Sequence, residues 1–143
     1  MQAKSVLQFL GYEVSQLRFE KKDAFEGTDF QVTPMFKREV KTLPSDCYDV
    51  TLGILIRGTE DNPIPFEIHV ELTGHFKGFF SDEPERTIQQ LTNQNTVAIL
   101  FPFLRATVAS LTLTANIPPV LLPVINLAGA FDKPEESTDA EEE

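Results

Sequence analysis

Two neighbouring segments constrain this chain more than any other feature. The first is Leu100-Phe101-Pro102-Phe103-Leu104-Arg105-Ala106-Thr107. The second is Ile117-Pro118-Pro119-Val120-Leu121-Leu122-Pro123-Val124-Ile125-Asn126. The first reads as part of a helix with a proline between two phenylalanines. The second is neither a helix nor a central strand, because proline fixes φ and removes a backbone donor. An apolar run without regular pairing has to lie against a core or line a groove. Pro118, Pro119 and Pro123 therefore read either as a rigid connector or as a preformed groove wall, which loses little entropy on binding.

The first half of the chain has the two-residue period of strands. Tyr48, Val50, Leu52, Ile54 and Ile56 alternate with Asp49, Thr51 and Arg57. Phe66, Ile68, Val70 and Leu72 alternate with Glu67, His69, Glu71 and Thr73. Gly58 to Pro63 between them is turn chemistry, so these two strands are expected to form a long hairpin. Phe30, Val32, Phe36 and Val40 share a third phase, which Arg38 interrupts, and Pro34 pushes that strand towards an edge. Tyr12 and Val14 are out of phase with Leu17 and Phe19, and a bulge near Ser15-Gln16 reconciles them.

The second half changes period. Ser81-Asp82-Glu83-Pro84-Glu85 has the acids and proline of a helix start. Ile88, Leu91, Val97, Leu100, Phe101, Leu104, Val108 and Leu111 form an apolar stripe at helical spacing. Pro102 is expected to kink or restart that helix. Leu127 to Phe131 suits a short terminal helix. The fold class expected is α+β: a four-stranded antiparallel sheet, one long helix on its apolar face, a proline-rich crossover and a short C-terminal helix. Residues 1–131 form one domain and residues 132–143 a disordered tail.

Charge narrows the partners. The formal net charge is -10, and residues 132–143 carry seven acids and one lysine. The body is mildly acidic, so nucleic acid and anionic membranes are disfavoured. Cys47 is alone, which suits a reducing compartment. The apolar residues Val6, Leu7, Phe9 and Leu10 are too few for a signal peptide, and no apolar stretch is expected to reach the ~20 residues of a membrane span. A soluble cytoplasmic protein is the expectation.

Chemistry-bearing motifs are sparse. There is no glycine-rich phosphate loop and no nucleophile elbow, and Cys47 has no evident catalytic histidine. His69 and His75 share a strand face without the further ligands of a zinc site. No enzymatic activity, metal or cofactor is expected. Phe76, Phe79 and Phe80, interleaved with Gly74 and Gly78, read either as core or as an exposed groove for extended apolar peptide. Glu20, Glu67 and Glu71 read either as a solvated sheet face or as a docking patch for a basic partner.

The Leu100–Arg105 and Ile117–Asn126 segments resemble those of the SecB family of export chaperones, and the order of elements is similar too. The resemblance implies an ATP-independent holdase for unfolded polypeptides or preproteins, assembled as a homotetramer, a dimer of dimers. Its implied substrate groove comprises Phe36, Val40, Phe76, Phe79, Phe80, Ile117, Val120 and Leu122. It implies docking of the translocase motor ATPase on acids of the flat sheet face. Glu20 matches one such acid, whereas Gln16 and His69 stand where the family has acids; Glu67 and Glu71 join Glu20 only as members of the candidate acidic patch. A dedicated chaperone of a single partner, such as an antitoxin, and a non-chaperone oligomeric scaffold remain open on the same fold.

Overall fold

The computed structural model describes residues 6–22, 31–79, 85–117, 120 and 122. Four strands, β1 (Val6–Lys21), β2 (Met35–Leu43), β3 (Cys47–Ile56) and β4 (Phe66–Phe79), form one antiparallel sheet in the order β1-β4-β3-β2. One nearly continuous helix follows: α1 (Glu85–Gln90), a π-helical turn (Leu91–Asn95) and α2 (Thr96–Thr114). This is the α+β architecture the periodicities anticipate. The expected terminal helix at Leu127–Phe131, the acidic tail, Phe30 and Phe80 lie outside the described residues.

The expected β3–β4 hairpin forms the centre of the sheet. Leu52 pairs with Leu72, Ile54 with Val70 and Ile56 with Ile68. These six side chains are buried and form the sheet side of the core. The intervening turn is closed by Thr59 N donating to Asn62 O and Asn62 N donating to Thr59 Oγ1.

Strand β1 shows why two phases appear in its sequence. It carries two register shifts against β4, one between Phe9 and Gly11 and one between Val14 and Gln16. Each inserted residue resets the alternation of side chains between faces. The second falls where the phase break predicts it. The first, at Leu10, is made with Gly11 at φ 120°, a conformation that favours glycine. Together they keep Leu7, Phe9, Tyr12, Val14, Leu17 and Phe19 opposite the inward row of β4, on the helix side of the sheet.

Helix α2 covers β3 and β4. Val97, Leu100, Phe101, Leu104 and Val108 are buried, as are Thr96 and Thr112. Gly74 lets the helix approach: a Cβ there would lie 2.7 Å from Leu100 Cδ2. Pro102 does not break the helix. Pro102 and Ala98 are both exposed, which puts the carbonyl that proline leaves without a donor on the solvent side of the helix. The irregularity lies instead at the π-helical turn. There Asn93 O accepts a bond from Arg38 Nη1 at 3.2 Å, which explains a charged residue in the apolar phase of β2.

One expectation needs correction. Within the 27-residue helix Ile88–Thr114 an 18-residue window reaches a mean hydropathy of 1.7, enough to cross a membrane by length and composition alone. Pro102 had obscured that length in the sequence. Its inward face packs on the sheet core, as in the core helix of a globular domain.

Candidate functional site

The helix ends in a manner that aims the crossover. Ala115 N donates to Leu111 O, Asn116 N to Leu113 O and Ile117 N to Thr112 O, with Asn116 at φ 64°. This is a Schellman closure with asparagine as the left-handed residue. Beyond it, Val120 N donates to Thr112 Oγ1 at 3.0 Å and Arg105 Nε donates to Leu122 O at 2.7 Å. The chain therefore runs back along α2, tied to it by two side chains.

Phe36 and Val40, on the helix side of edge strand β2, are only partly buried against the core, and so are Ile117 and Val120 of the crossover. The Phe36 ring meets Phe101 edge-on, with centroids 6.2 Å apart. Among the described residues of the predicted groove, these four are the ones that stay partly open on the helix side of the sheet.

The other predicted groove residues fall elsewhere. Phe76 is fully buried beneath the sheet–helix interface, against Phe9 at 5.2 Å, and offers nothing to a guest. Leu122 is buried as well and contributes its carbonyl to Arg105. Phe79 is 47% exposed but three residues beyond Phe76, hence on the opposite face, beneath Lys77 Nζ at 5.4 Å from its ring centre. Strand alternation thus separates a cluster that looks contiguous in sequence. Gly74 accommodates Leu100 rather than a guest backbone.

A second apolar surface was missed. Tyr12, Val14 and Leu17 are 38%, 46% and 55% exposed on the helix side of β1, and Phe103 of α2 is 37% exposed beside them. Phe103 lies 4.7 Å from Tyr12 and 6.0 Å from Phe9, centre to centre. Helix α2 is too narrow to roof the outer strand. The signal was present in sequence as the two phases of β1, but its meaning depends on strand order.

The outer face of the sheet is polar and largely self-neutralised. Glu20 pairs with Arg18 and Lys22, each at 3.2 Å. The hydrogen bond and charge of Lys22 hold its carboxyl below the usual range. Glu71 is held by Lys37 Nζ at 3.0 Å and His69 Nε2 at 3.1 Å. Burial pushes Glu71 up, but the bonds and charges of Lys37 and His69 outweigh it and hold it low. Glu67 stands opposite Glu20 across the β1–β4 pair. So the three predicted docking acids share a face, but two already have basic partners. Met35, Lys37, Gly53, Leu55 and His69 frame a shallow hollow there. No group of three or more metal-ligating side chains occurs among the described residues.

Fold and surface together define a class: an α+β protein with one helix laid on an antiparallel sheet, and apolar strips only partly covered along both outer strands. A model of the preprotein translocase subunit SecB family matches residues 2–138. The chain belongs to the SecB family. The protein-export protein SecB of Zymomonas mobilis is 27% identical over 139 residues, covering 93% of this chain and 82% of that protein. An uncharacterized protein of Methanocaldococcus jannaschii, MJ0357, is 40% identical over 82 residues, which is 54% of this chain. The chain spans about half the length of that archaeal relative, 52%. Among solved structures, the Mycobacterium tuberculosis Rv1957 SecB-like chaperone, in complex with a ChAD peptide from the Rv1956 HigA1 antitoxin, shares the fold. Its TM-score is 0.70 at 17% identity, covering 83% of this chain and 90% of that one.

Proposed function

We propose that this protein is an ATP-independent holdase that binds unfolded or non-native polypeptides in extended form. The observation that carries the reading is the half-buried apolar floor of Phe36 and Val40, on an outer strand, with Ile117 and Val120 at its wall. A surface of this kind binds unfolded chains and not folded ones, so mass action slows both folding and aggregation without a nucleotide. Each apolar anchor contributes about 1.5–3 kcal/mol by burial, and several weak anchors favour breadth over selectivity.

The same reading includes a cytoplasmic location and assembly into a homotetramer, with the exposed strip of β1 as a self-association surface. An outer strand with Tyr12, Val14 and Leu17 in water is a template for pairing unless it is covered. Membership of the SecB family supports a role in protein export within this reading, with the translocase motor ATPase as the docking partner. The ion pairs of Glu20 and Glu71 weaken the acidic-patch version of that docking, because a basic partner must first displace Lys22 or Lys37.

A second reading is a dedicated chaperone of one antitoxin, favoured by the antitoxin peptide held by the mycobacterial protein of the same fold. One experiment separates them: light scattering of several unrelated denatured proteins with and without this one, alongside its native mass. Suppression across all of them supports the broad holdase. Suppression of none, with the protein folded and oligomeric, refutes it.

A further inference from the structure

His75 sits on the outer face of central strand β4 and reaches both neighbouring strands at once. Its Nδ1 lies 2.8 Å from Asp49 Oδ1 of β3, and its Nε2 lies 2.9 Å from Glu13 Oε2 of β1. It stands in register with Gly11, at the first bulge of β1, where backbone pairing is interrupted. We propose that His75 is a protonation-dependent clip that pins edge strand β1 across β4 to β3 at this bulge, and that releases β1 when the imidazolium loses its proton.

The geometry itself selects the charge state. An ionised carboxylate only accepts hydrogen bonds, while a neutral imidazole donates from one nitrogen and presents a lone pair at the other. Only the imidazolium donates at both ends. Deprotonation turns a lone pair towards either Asp49 or Glu13, so one arm of the clip becomes repulsive. Glu13, its side chain 68% exposed, is the arm that yields. Asp49 is more enclosed.

The other groups around the ring leave this balance intact. On β4, Lys77 is the next residue on the same face, and its ammonium sits over the Phe79 ring. On β3, Cys47 and Thr51 flank Asp49, and Lys41 of β2 lies beyond Asp49 in register. On β1, Gln8 and Glu13 flank the bulge, and Glu13 is the charged member. The bonds to Asp49 and then Glu13, with their charges, outweigh burial and raise the His75 pKa above the ordinary 6.5. A raised folded-state pKa gives stability that is complete below the unfolded value and is lost as pH climbs through the folded one. The clip is closed while both carboxylates are ionised and the imidazole carries its proton, and it opens as pH rises through the raised His75 pKa.

The test uses the full chain and does not depend on holdase activity. NMR titration of the His75 ring should give a midpoint above 6.5, and Glu13→Gln should lower it while leaving the far-UV spectrum unchanged. Hydrogen exchange at Gly11–Val14, corrected for intrinsic rates, should lose protection as pH passes that midpoint. The loss should approach about tenfold for each unit of upward displacement. His75→Gln should flatten this dependence. A wild-type midpoint at or below the ordinary value overturns the proposal. So does β1 protection that is indifferent to pH across the midpoint, or that keeps the wild-type profile in His75→Gln.

Discussion

Arg105 Nε donates to the carbonyl of Leu122 at 2.7 Å, joining α2 to a residue 17 positions further along the chain. Leu122 is buried, so its carbonyl has lost water and depends on this donor. Arg105→Ala should therefore cost about 1.5–3 kcal/mol in urea unfolding, the range for a hydrogen bond to a charged group. Arg105→Lys should recover little, because an ammonium on a flexible stem does not reproduce the fixed direction of the Nε–H. A wild-type midpoint in either variant would show that the crossover is held by packing alone.

Gly74 faces Leu100 so closely that a methyl group would lie 2.7 Å from Cδ2 and 3.1 Å from Cδ1. Gly74→Ala should destabilise the fold by about 1–3 kcal/mol through overpacking of the sheet–helix interface. Combining it with Leu100→Ala should cost less than the sum of the two single changes, since the added methyl enters the space the leucine vacates. Thermal unfolding of the four proteins of the cycle measures the coupling. Simple additivity would mean that α2 shifts bodily away from the sheet.

The central hairpin, the long helix and the bulge at Ser15 were legible because each leaves a local mark: strict alternation, a helical stripe, a slip of phase. The groove was legible only in part. Phe76 and Phe79 look equivalent in sequence, yet alternation sends one into the core and the other to the polar face. Deciding which face is roofed requires knowing that the helix crosses β3 and β4. Arg38 looked like a flaw in the β2 pattern because its partner, Asn93 O, lies 55 residues away. His75 showed in sequence only as a histidine lacking the further ligands of a zinc site, for the same reason: its two carboxylates come from strands 26 and 62 residues distant. Residues paired by tertiary geometry alone leave no periodic trace.

Val40 and Val120 provide the cleanest test of the guest site, since both are partly buried and neither belongs to the fully enclosed core. Val40→Asp and Val120→Asp should each weaken holding of a denatured substrate by roughly tenfold, the loss expected for one apolar anchor. Val40→Thr, nearly isosteric, should show the same direction with a smaller effect and serves as the control for folding. Light scattering reports the holding and circular dichroism the fold. Folded variants with undiminished holding would remove Val40 and Val120 from the site.

Glu71 gives the acid limb of the stability profile. Its carboxyl is pushed up by burial but is held below its ordinary 4.5 by the hydrogen bonds and charges of Lys37 and His69. A depressed folded-state pKa contributes stability above the unfolded value and loses it as pH falls through the folded one. Stability should therefore decline below about pH 4.5. Lys37→Met should make that decline shallower. Parallel curves for the two proteins in urea unfolding from pH 6 downwards, on the order of three units, would show that Lys37 has no hold on Glu71.

The strip along β1 makes the last prediction. Tyr12 and Leu17 lie on the helix side of an outer strand, at and beyond the edge of α2, with Tyr12 against Phe103, and neither belongs to the buried core of a single chain. Tyr12→Glu with Leu17→Glu should thus leave secondary structure intact but lower the native mass, because the charges must be desolvated for two chains to meet there. Leu17 is more than half exposed and Tyr12 loses chiefly its ring contact with Phe103, so the change in single-chain stability should stay within about 2 kcal/mol. Phe103→Ala, on the helix flank of the same strip, should shift the mass in the same direction more weakly. If the double variant keeps the wild-type mass, β1 is not where copies of this chain associate, and the strip becomes surface available to guests, which the holding assay on the same variant then measures directly.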